Sequence, residues 1–450
     1  MSWRFLWLAV VCLSLAGCGG SLRSQSPPAK RQTGFWYWKG SSAQVSSDTG
    51  VVDVLFVHAG TIGFDSNFYT DVDHVHGDIP SELPAAREYW LVFRYDRQQV
   101  PPLSKAAPLA RTYSDLLLDA RERHLQIAGI QLDIDSPTAA LPQYAKFLQA
   151  VRKELPPGTQ ISITGLLDWF RSGTAIADVI READEFIPQF YDAADRNTQW
   201  GGGTIAAKID GKRWDPVFNR FGKPFRIGIS SFGRALALPR AINYPGLGIL
   251  ADLAPMDIGV TPGFSLQQSV DEAKELILDY RATRKIRLGY NNFKVGDTVQ
   301  FIVPTIQSIR SAVEQANKMT GHFAGVVFFR WPHENESLVL PPSEVLRAAG
   351  LASPPKTPDS IDVDDGSCVA VKCVDLYLLT SDSFSSYPVR YRIHSSTELE
   401  YFLPEDRMPI RMTSPTNLEL ALPPFGGRPR MYLGRAVAMN RSDFTVERLP

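Results

Sequence analysis

The stretch Ile127-Ala-Gly-Ile-Gln-Leu-Asp-Ile-Asp-Ser-Pro137 carries a polar residue at every second position from Gln131 to Asp135. Side chains alternate across a strand, so Gln131, Asp133 and Asp135 share one face while Ile130, Leu132 and Ile134 take the other. A strand buried on both faces reads as a nearly unbroken apolar run. Carboxylates set inside a protein cost several kcal/mol each unless they are solvated or hydrogen-bonded. The polar face is therefore expected to open into a pocket and to form the floor of a functional cleft.

Working outward from that strand, short β-rich runs alternate with amphipathic helical runs. Strands are predicted at Gly34–Trp38, Val52–His58, Tyr89–Tyr95, Ile127–Ile134, Gln160–Gly165, Glu185–Tyr191, Phe225–Ser231 and Gly325–Trp331. Helical periodicity marks Thr112–His124, Gln143–Leu155, Ala175–Ala183, Ser265–Arg284 and Thr305–Met319. This alternation predicts a (β/α)8 TIM barrel, whose functional groups stand at the C-terminal ends of its strands. Arg234 to Val303 is longer than one crossover requires, so an insertion is expected after strand seven. After residue 366 the pattern changes to short β-rich segments separated by Pro, Gly and Ser turns, which predicts a small β-sandwich-like domain over 367–450.

The ends of the chain set its address. Residues 1–17 have an early Arg4, an apolar run from Phe5 to Leu15 and the small residues Ala16 and Gly17, the pattern of a secretory signal peptide. Leu15-Ala16-Gly17-Cys18 resembles the lipobox of bacterial lipoproteins. By that resemblance Cys18 is lipidated and anchors the chain to a membrane, and Gly19 after it points to the outer membrane, facing the periplasm. Residues 18–33 then form a flexible tether, 34–350 the barrel and 351–366 a linker that includes Asp362-Val-Asp-Asp-Gly366. Of the four cysteines, Cys12 leaves with the signal peptide, and Cys368 and Cys373 are expected to close a small disulfide loop in an oxidising compartment.

With 47 basic and 48 acidic residues and no long basic stripe, the composition disfavours nucleic acid as a partner. Aromatic residues at 11%, nine of them Trp, are enough to line a sugar-binding groove as well as the core. No cofactor is expected: there is no phosphate-cradling glycine loop with its lysine and no Gly-x-Ser-x-Gly elbow. Asp71-Val-Asp-His-Val-His-Gly-Asp78 holds donors enough for a metal, but alternation would separate Asp71 and Asp73 from His74 and His76, so no metal site is assigned.

Several segments together resemble the family-eighteen glycoside hydrolases, the chitinases and endo-N-acetylglucosaminidases. Gly129-Ile-Gln-Leu-Asp-Ile-Asp-Ser-Pro137 is similar to the strand-four signature D-G-x-D-x-D-x-E, with Asp135 in the place of the acid glutamate and Gln131 in that of the earlier aspartate. Gln189-Phe-Tyr-Asp192 resembles the strand-six M-x-Y-D, and Gly228-Ile-Ser-Ser-Phe-Gly-Arg234 the strand-seven G-x-P-x-Y-G-R. Gly34-Phe-Trp-Tyr-Trp38 resembles the first strand, and Trp331 stands where the family keeps a tryptophan under the sugar. The whole chain also resembles a family of bacterial envelope lipoproteins.

The resemblance implies an oligosaccharide or polysaccharide partner. It makes Asp135 the acid, Asp133 the orienting carboxylate and Tyr191 a hydrogen-bond donor in a retaining, substrate-assisted hydrolysis. Gln131, Asp192, Trp331, Trp38 and Asp168 would contact the sugar. Two departures weigh against catalysis. Asp135 is one methylene shorter than glutamate, withdrawing its carboxyl by roughly 1.5 Å, and Gln131 removes a like charge that helps a neighbour keep its proton. Asp168, Glu334 or Glu336 at the same mouth can supply a conventional carboxylate pair instead. A non-catalytic glycan-binding barrel and an envelope scaffold are the alternatives, and an arginine paired to Asp135 would favour them.

Overall fold

Strands Gln32–Tyr37 (β1), Val52–Ile62 (β2), Val75–Gly77 (β3), Ala86–Tyr95 (β4), Ile127–Ile134 (β5), Gln160–Leu166 (β6), Glu185–Gln189 (β7) and Phe225–Ser230 (β8) come first. An insertion follows, made of Arg234–Leu238 (β9), Phe264–Val270 (β10), Leu276–Ala282 (β11), Ile286–Leu288 (β12), Asn291–Phe293 (β13) and Thr298–Val303 (β14). Phe323–Phe329 (β15) then pairs in parallel with both β8 and β1. Because β1 also pairs with β2, the eight parallel strands β1, β2, β4, β5, β6, β7, β8 and β15 close into a barrel, with β3 antiparallel on β2. This computed structural model describes residues 31–43, 49–63, 75–97, 99–191, 205–238, 253–288, 291–333, 336, 338–351, 358–368, 373–380, 384–385, 389–405, 408–423, 425–426, 430–438 and 442–449.

Helices Ala106–Glu122 (α1), Leu141–Glu154 (α2), Ile176–Glu182 (α3) and Gly211–Asn219 (α4) follow the successive strands from β4 to β7. Pro255–Gly259 (α5) belongs to the insertion, and Ile306–Ala316 (α6) and Pro342–Ala348 (α7) flank β15. The barrel strands sort their residues by parity. Phe35, Leu55, Ile130, Ile161, Phe186 and Phe328 point outward into the main core beneath the helices, whereas Trp36, Phe56, Trp90, Val92, Ile187 and Val327 fill the lumen. Two glycines admit the large lumenal rings: a Cβ on Gly129 would stand 2.7 Å from the Trp90 ring, and one on Gly228 3.2 Å from both Trp36 and Tyr191.

The insertion departs from the sequence reading. Ser265–Arg284, expected as a helix, is the β10–β11 hairpin. Leu276, Leu278, Tyr280 and Ala282 alternate at period two into a small core of their own, and Lys274 turns the chain at a φ of 69°, a left-handed value that no right-handed helix contains.

Beyond the barrel, Ser360–Asp365 (β16), Cys373–Leu379 (β17), Phe384–Ser385 (β18), Val389–Ser395 (β19), Leu399–Pro404 (β20), Ile410–Ser414 (β21), Asn417–Leu422 (β22), Phe425–Gly426 (β23), Arg430–Ala438 (β24) and Phe444–Leu449 (β25) complete the chain. The sheets β16-β17-β24-β20 and β21-β22-β19-β25 enclose one apolar core, a β-sandwich, and Met256 of α5 joins that core. The residues expected as linker therefore include a strand: β16 pairs with β17, and its Asp362 and Asp364 accept hydrogen bonds from Arg430 at 2.9 and 2.7 Å. Cys368 and Cys373 are disulfide-bonded.

One buried carboxylate ties the insertion to the barrel. Glu275, wholly buried, accepts the Ile205 and Ala206 N–H groups at 3.1 and 2.9 Å, and Ala206 bridges antiparallel to Tyr191. Burial pushes the Glu275 carboxyl up to about 7 against the pull of the Ala206 N–H, and Asp271 adds to the push. The folded protein thus keeps this proton between the ordinary value of 4.5 and about 7, where the unfolded chain has lost it. Stability falls as pH rises through that window and stays lowered above it. Glu275→Gln, neutral throughout, is expected to match the parent at the acid end and to exceed it above the window by up to about 3 kcal/mol, read from urea unfolding midpoints across pH.

Candidate functional site

The polar face of β5 meets β4 with Asp133 directly beside Arg94. Arg94 Nη1 donates to Asp133 Oδ2 at 2.6 Å, Nη2 to Asp135 Oδ2 at 3.4 Å and Nε to Asp96 Oδ1 at 2.6 Å. Asp133 is nearly sealed, with 4% of its side chain exposed, and Asp135 is at the rim with 36%. The other oxygen of Asp133 accepts the Thr164 hydroxyl at 2.7 Å and the Gln189 amide at 3.5 Å. Burial works against the charge on Arg94, but Asp133 and then Asp135 more than offset it and raise the guanidinium's pKa further.

Aromatic rings surround this cluster. Trp38, half-buried, carries Arg94 over its ring at 5.7 Å and lies 4.7 Å from His58 and 5.5 Å from Phe329. Phe329 stacks on Tyr191 at 5.1 Å and meets Phe232 edge-on at 5.4 Å. Burial holds the His58 imidazole below its ordinary pKa, against the opposing pull of Asp133. The mouth therefore offers flat apolar faces beside an imidazole, a guanidinium and carboxylates.

Beneath the mouth runs a continuous hydrogen-bonded column. Trp36 Nε1 donates to Gln131 Oε1 at 2.7 Å, Gln131 Nε2 to Ser162 Oγ at 3.0 Å, and the Ser162 hydroxyl to Glu185 Oε1 at 3.1 Å. Arg226 closes it below, donating Nε to Glu185 Oε2 at 3.1 Å and Nη2 to Gln32 Oε1 at 2.7 Å. Gln131 is wholly buried in this column, away from the rim where a ligand could touch it.

Of the residues singled out from sequence, Asp133, Asp135, Tyr191 and Trp38 come together at the mouth. Asp168 accepts the Thr138 hydroxyl at 3.0 Å, joining the loop after β6 to the loop after β5. Trp331 stands apart: it is 1% exposed, packs on the outward-facing Phe35 and Tyr37, and donates its Nε1–H to the Ser42 carbonyl at 3.0 Å. The lumenal aromatic of that strand is Phe329. Glu336 is held by Arg330, whose Nη1 donates to it at 2.8 Å. Asp192, Glu334, Asp71, Asp73 and His74 lie outside the described residues, and among the described residues no cluster of three His, Cys, Asp or Glu side chains is placed to hold a metal.

Arg94 and Phe329 were missed from the sequence. A signal for Arg94 was present, since Trp90, Val92 and Arg94 alternate onto one face of their strand, as Gln131, Asp133 and Asp135 do on the next.

Fold and site together define a (β/α)8 barrel with a charged, aromatic mouth at the C-terminal ends of its strands, followed by a β-sandwich. A family described as "Domain of unknown function (DUF3142)" matches residues 85–244. Among solved structures the chain is similar to the spore cortex-lytic enzyme SleL of Bacillus cereus, at 13% identity over 71% of this chain and 74% of that one, with a TM-score of 0.45. It is similar to a family GH18 chitinase from Chromobacterium violaceum, at 11% identity over 93% and 90% of the two chains, with a TM-score of 0.43. A GH18 chitinase from Cycas revoluta in complex with (GlcNAc)3 shares 14% identity over 71% of this chain and 98% of that one, with a TM-score of 0.45. No curated protein matches the chain.

Arg94→Met leaves Asp133 buried without its cation. Because 32% of the Arg94 side chain reaches solvent, the expected loss of stability is about 2 kcal/mol, below the roughly 3–5 kcal/mol of a fully buried pair. Adding Asp133→Asn is expected to restore part of that loss, measured as a coupling energy in a double-mutant cycle by chemical denaturation.

Proposed function

We propose that this protein is a glycan-binding barrel of the glycoside hydrolase type, holding an oligosaccharide or polysaccharide across its mouth without cleaving it. One observation carries the reading: Arg94 reaches both Asp133 and Asp135, at 2.6 and 3.4 Å. A glycosidic acid must deliver a proton to the leaving oxygen, and here Arg94 donates to one oxygen of each carboxylate, engaging the group that would have to reach that oxygen. The shorter reach of Asp135 compared with glutamate works the same way. Binding asks less. The half-buried rings of Trp38, Phe232 and Phe329 present apolar faces to the C–H side of a sugar ring, and His58, Arg94 and Asp135 offer hydrogen bonds to its hydroxyls.

The test is a panel of N-acetylated and envelope glycans offered to the purified protein, to Asp135→Asn and to Trp38→Ala. Expected are no oligosaccharide release, binding by the parent and by Asp135→Asn alike, and about tenfold weaker binding by Trp38→Ala. Release by the parent that disappears in Asp135→Asn would replace this reading with hydrolysis.

We further propose that the protein is anchored to the outer membrane facing the periplasm, with Cys18 lipidated after removal of residues 1–17. The support is the apolar run Phe5–Leu15 and the Leu15-Ala16-Gly17-Cys18 order. Metabolic labelling with a radioactive fatty acid is expected to mark the parent protein, and Cys18→Ala is expected to abolish the label.

A further inference from the structure

The β10–β11 hairpin turns through Asp271-Glu-Ala-Lys-Glu275. Asp271 N–H donates to the Glu275 carbonyl at 3.1 Å and Lys274 N–H to the Asp271 carbonyl at 3.2 Å. Glu275 N–H donates to Asp271 Oδ1 at 2.8 Å. This tight tip sets two carboxyl groups side by side.

One oxygen of each is already engaged. Asp271 Oδ1 takes the Glu275 N–H, and Glu275 Oε2 takes the Ile205 and Ala206 N–H groups. The remaining oxygens, Asp271 Oδ2 and Glu275 Oε1, are buried and meet no other donor among the described residues. The two side chains are nevertheless hydrogen-bonded to each other, and a bond between carboxyl groups requires that one of them carry a proton. A proton on Glu275 Oε1, donated to Asp271 Oδ2, satisfies both remaining atoms at once.

No cation takes the proton's place. Glu272 adds negative charge beside Asp271. Lys274 on the tip and Lys208 on the facing segment are exposed, Lys208 reaching Glu272 at 4.0 Å. Asp210 of that segment accepts the Arg213 N–H at the start of α4, and α6 presents the uncharged Ser308, Ser311 and Gln315. Among the described residues neither Asp271 nor Glu275 forms an ion pair.

The backbone gripped by Glu275 leads straight to the end of the barrel. Ala206 bridges to Tyr191, and Ala207 N–H donates to the Phe190 carbonyl at 2.8 Å. A cavity of about 580 Å³ lies between the hairpin tip, residues 206–210 and α6, so the tip can lift without breaking into a solid core.

We propose that Asp271 and Glu275 form a proton-operated latch: with one proton between them the hairpin tip grips the 205–206 backbone against the end of the barrel, and without it the two carboxylates part and release that backbone. Loss of the proton leaves two like charges side by side in a buried place, and lifting the tip into water relieves both the repulsion and the desolvation. The latch acts on the chain itself and is independent of what the mouth binds.

The experiment is amide hydrogen exchange of the full chain in detergent, read by mass spectrometry from below pH 4.5 to above pH 7, the window set by Glu275. Each rate is divided by the intrinsic rate at its pH, with β5 as the reference segment. The Ile205 and Ala206 amides are expected to exchange by local opening that low urea hardly changes. Their protection is expected to fall by up to about tenfold per pH unit across the window and to level off above it. Glu275→Gln, whose amide can donate to Asp271 at every pH, is expected to stay flat. Asp271→Asn, whose amide can donate to the Glu275 carboxylate, is expected to lose most of the fall. A parent whose protection stays flat, an Asp271→Asn variant that keeps the full fall, or exchange at 205–206 as urea-sensitive as that of β5 would overturn the proposal.

Discussion

The structure depends on what it takes to keep a carboxylate inside a closed barrel. Asp133 is nearly sealed from water, and a carboxylate left there with no partner at all would cost several kcal/mol. Its two oxygens are accordingly shared among Arg94, Thr164 and Gln189, which come from β4, β6 and β7. One side chain thus ties together four neighbouring strands at the end where functional groups collect. The same requirement recurs lower down, where Glu185 is met by Ser162 and Arg226.

Much of this was legible in the chain. The period-two alternation of Gln131, Asp133 and Asp135 fixed the sidedness of β5, and the eight β-rich runs marked all eight barrel strands. Legibility failed where the deciding fact lies between segments. Arg94 reads as an ordinary charge at a strand end until the parallel register places it against Asp133. Trp331 has the spacing of a lumenal residue, but its indole N–H is taken by the Ser42 carbonyl on the outside of the barrel. Ser265–Arg284 contains apolar residues that fit both periods, and the left-handed turn at Lys274 decides for the hairpin. Asp364 looks like solvated linker until Arg430 arrives from a strand more than sixty residues away.

The insertion connects regions that the sequence presents as separate. Through Glu275 it holds the segment that pairs with Tyr191, at the end of a barrel strand. Through α5 it contributes Met256 to the sandwich core, and Gly259 packs so close to Pro423 that a Cβ there would stand 2.7 Å away. Barrel mouth, insertion and sandwich are joined by buried contacts of different chemistry, one ionisable and one apolar. The two would respond differently to conditions: protonation acts on the first and temperature mainly on the second.

Gln131 shows how the lumen is held together by hydrogen bonds. Its amide does what a carboxylate cannot: it accepts from Trp36 on one side and donates to Ser162 on the other. That donation orients the Ser162 hydroxyl toward Glu185, so every bond in the column points the same way down to the Glu185–Arg226 pair. A carboxylate at this position would take the serine's proton for itself, deprive Glu185 of a donor and add a second buried negative charge without a cation. The amide therefore links Trp36 through Ser162 to the Glu185–Arg226 pair without adding a charge of its own.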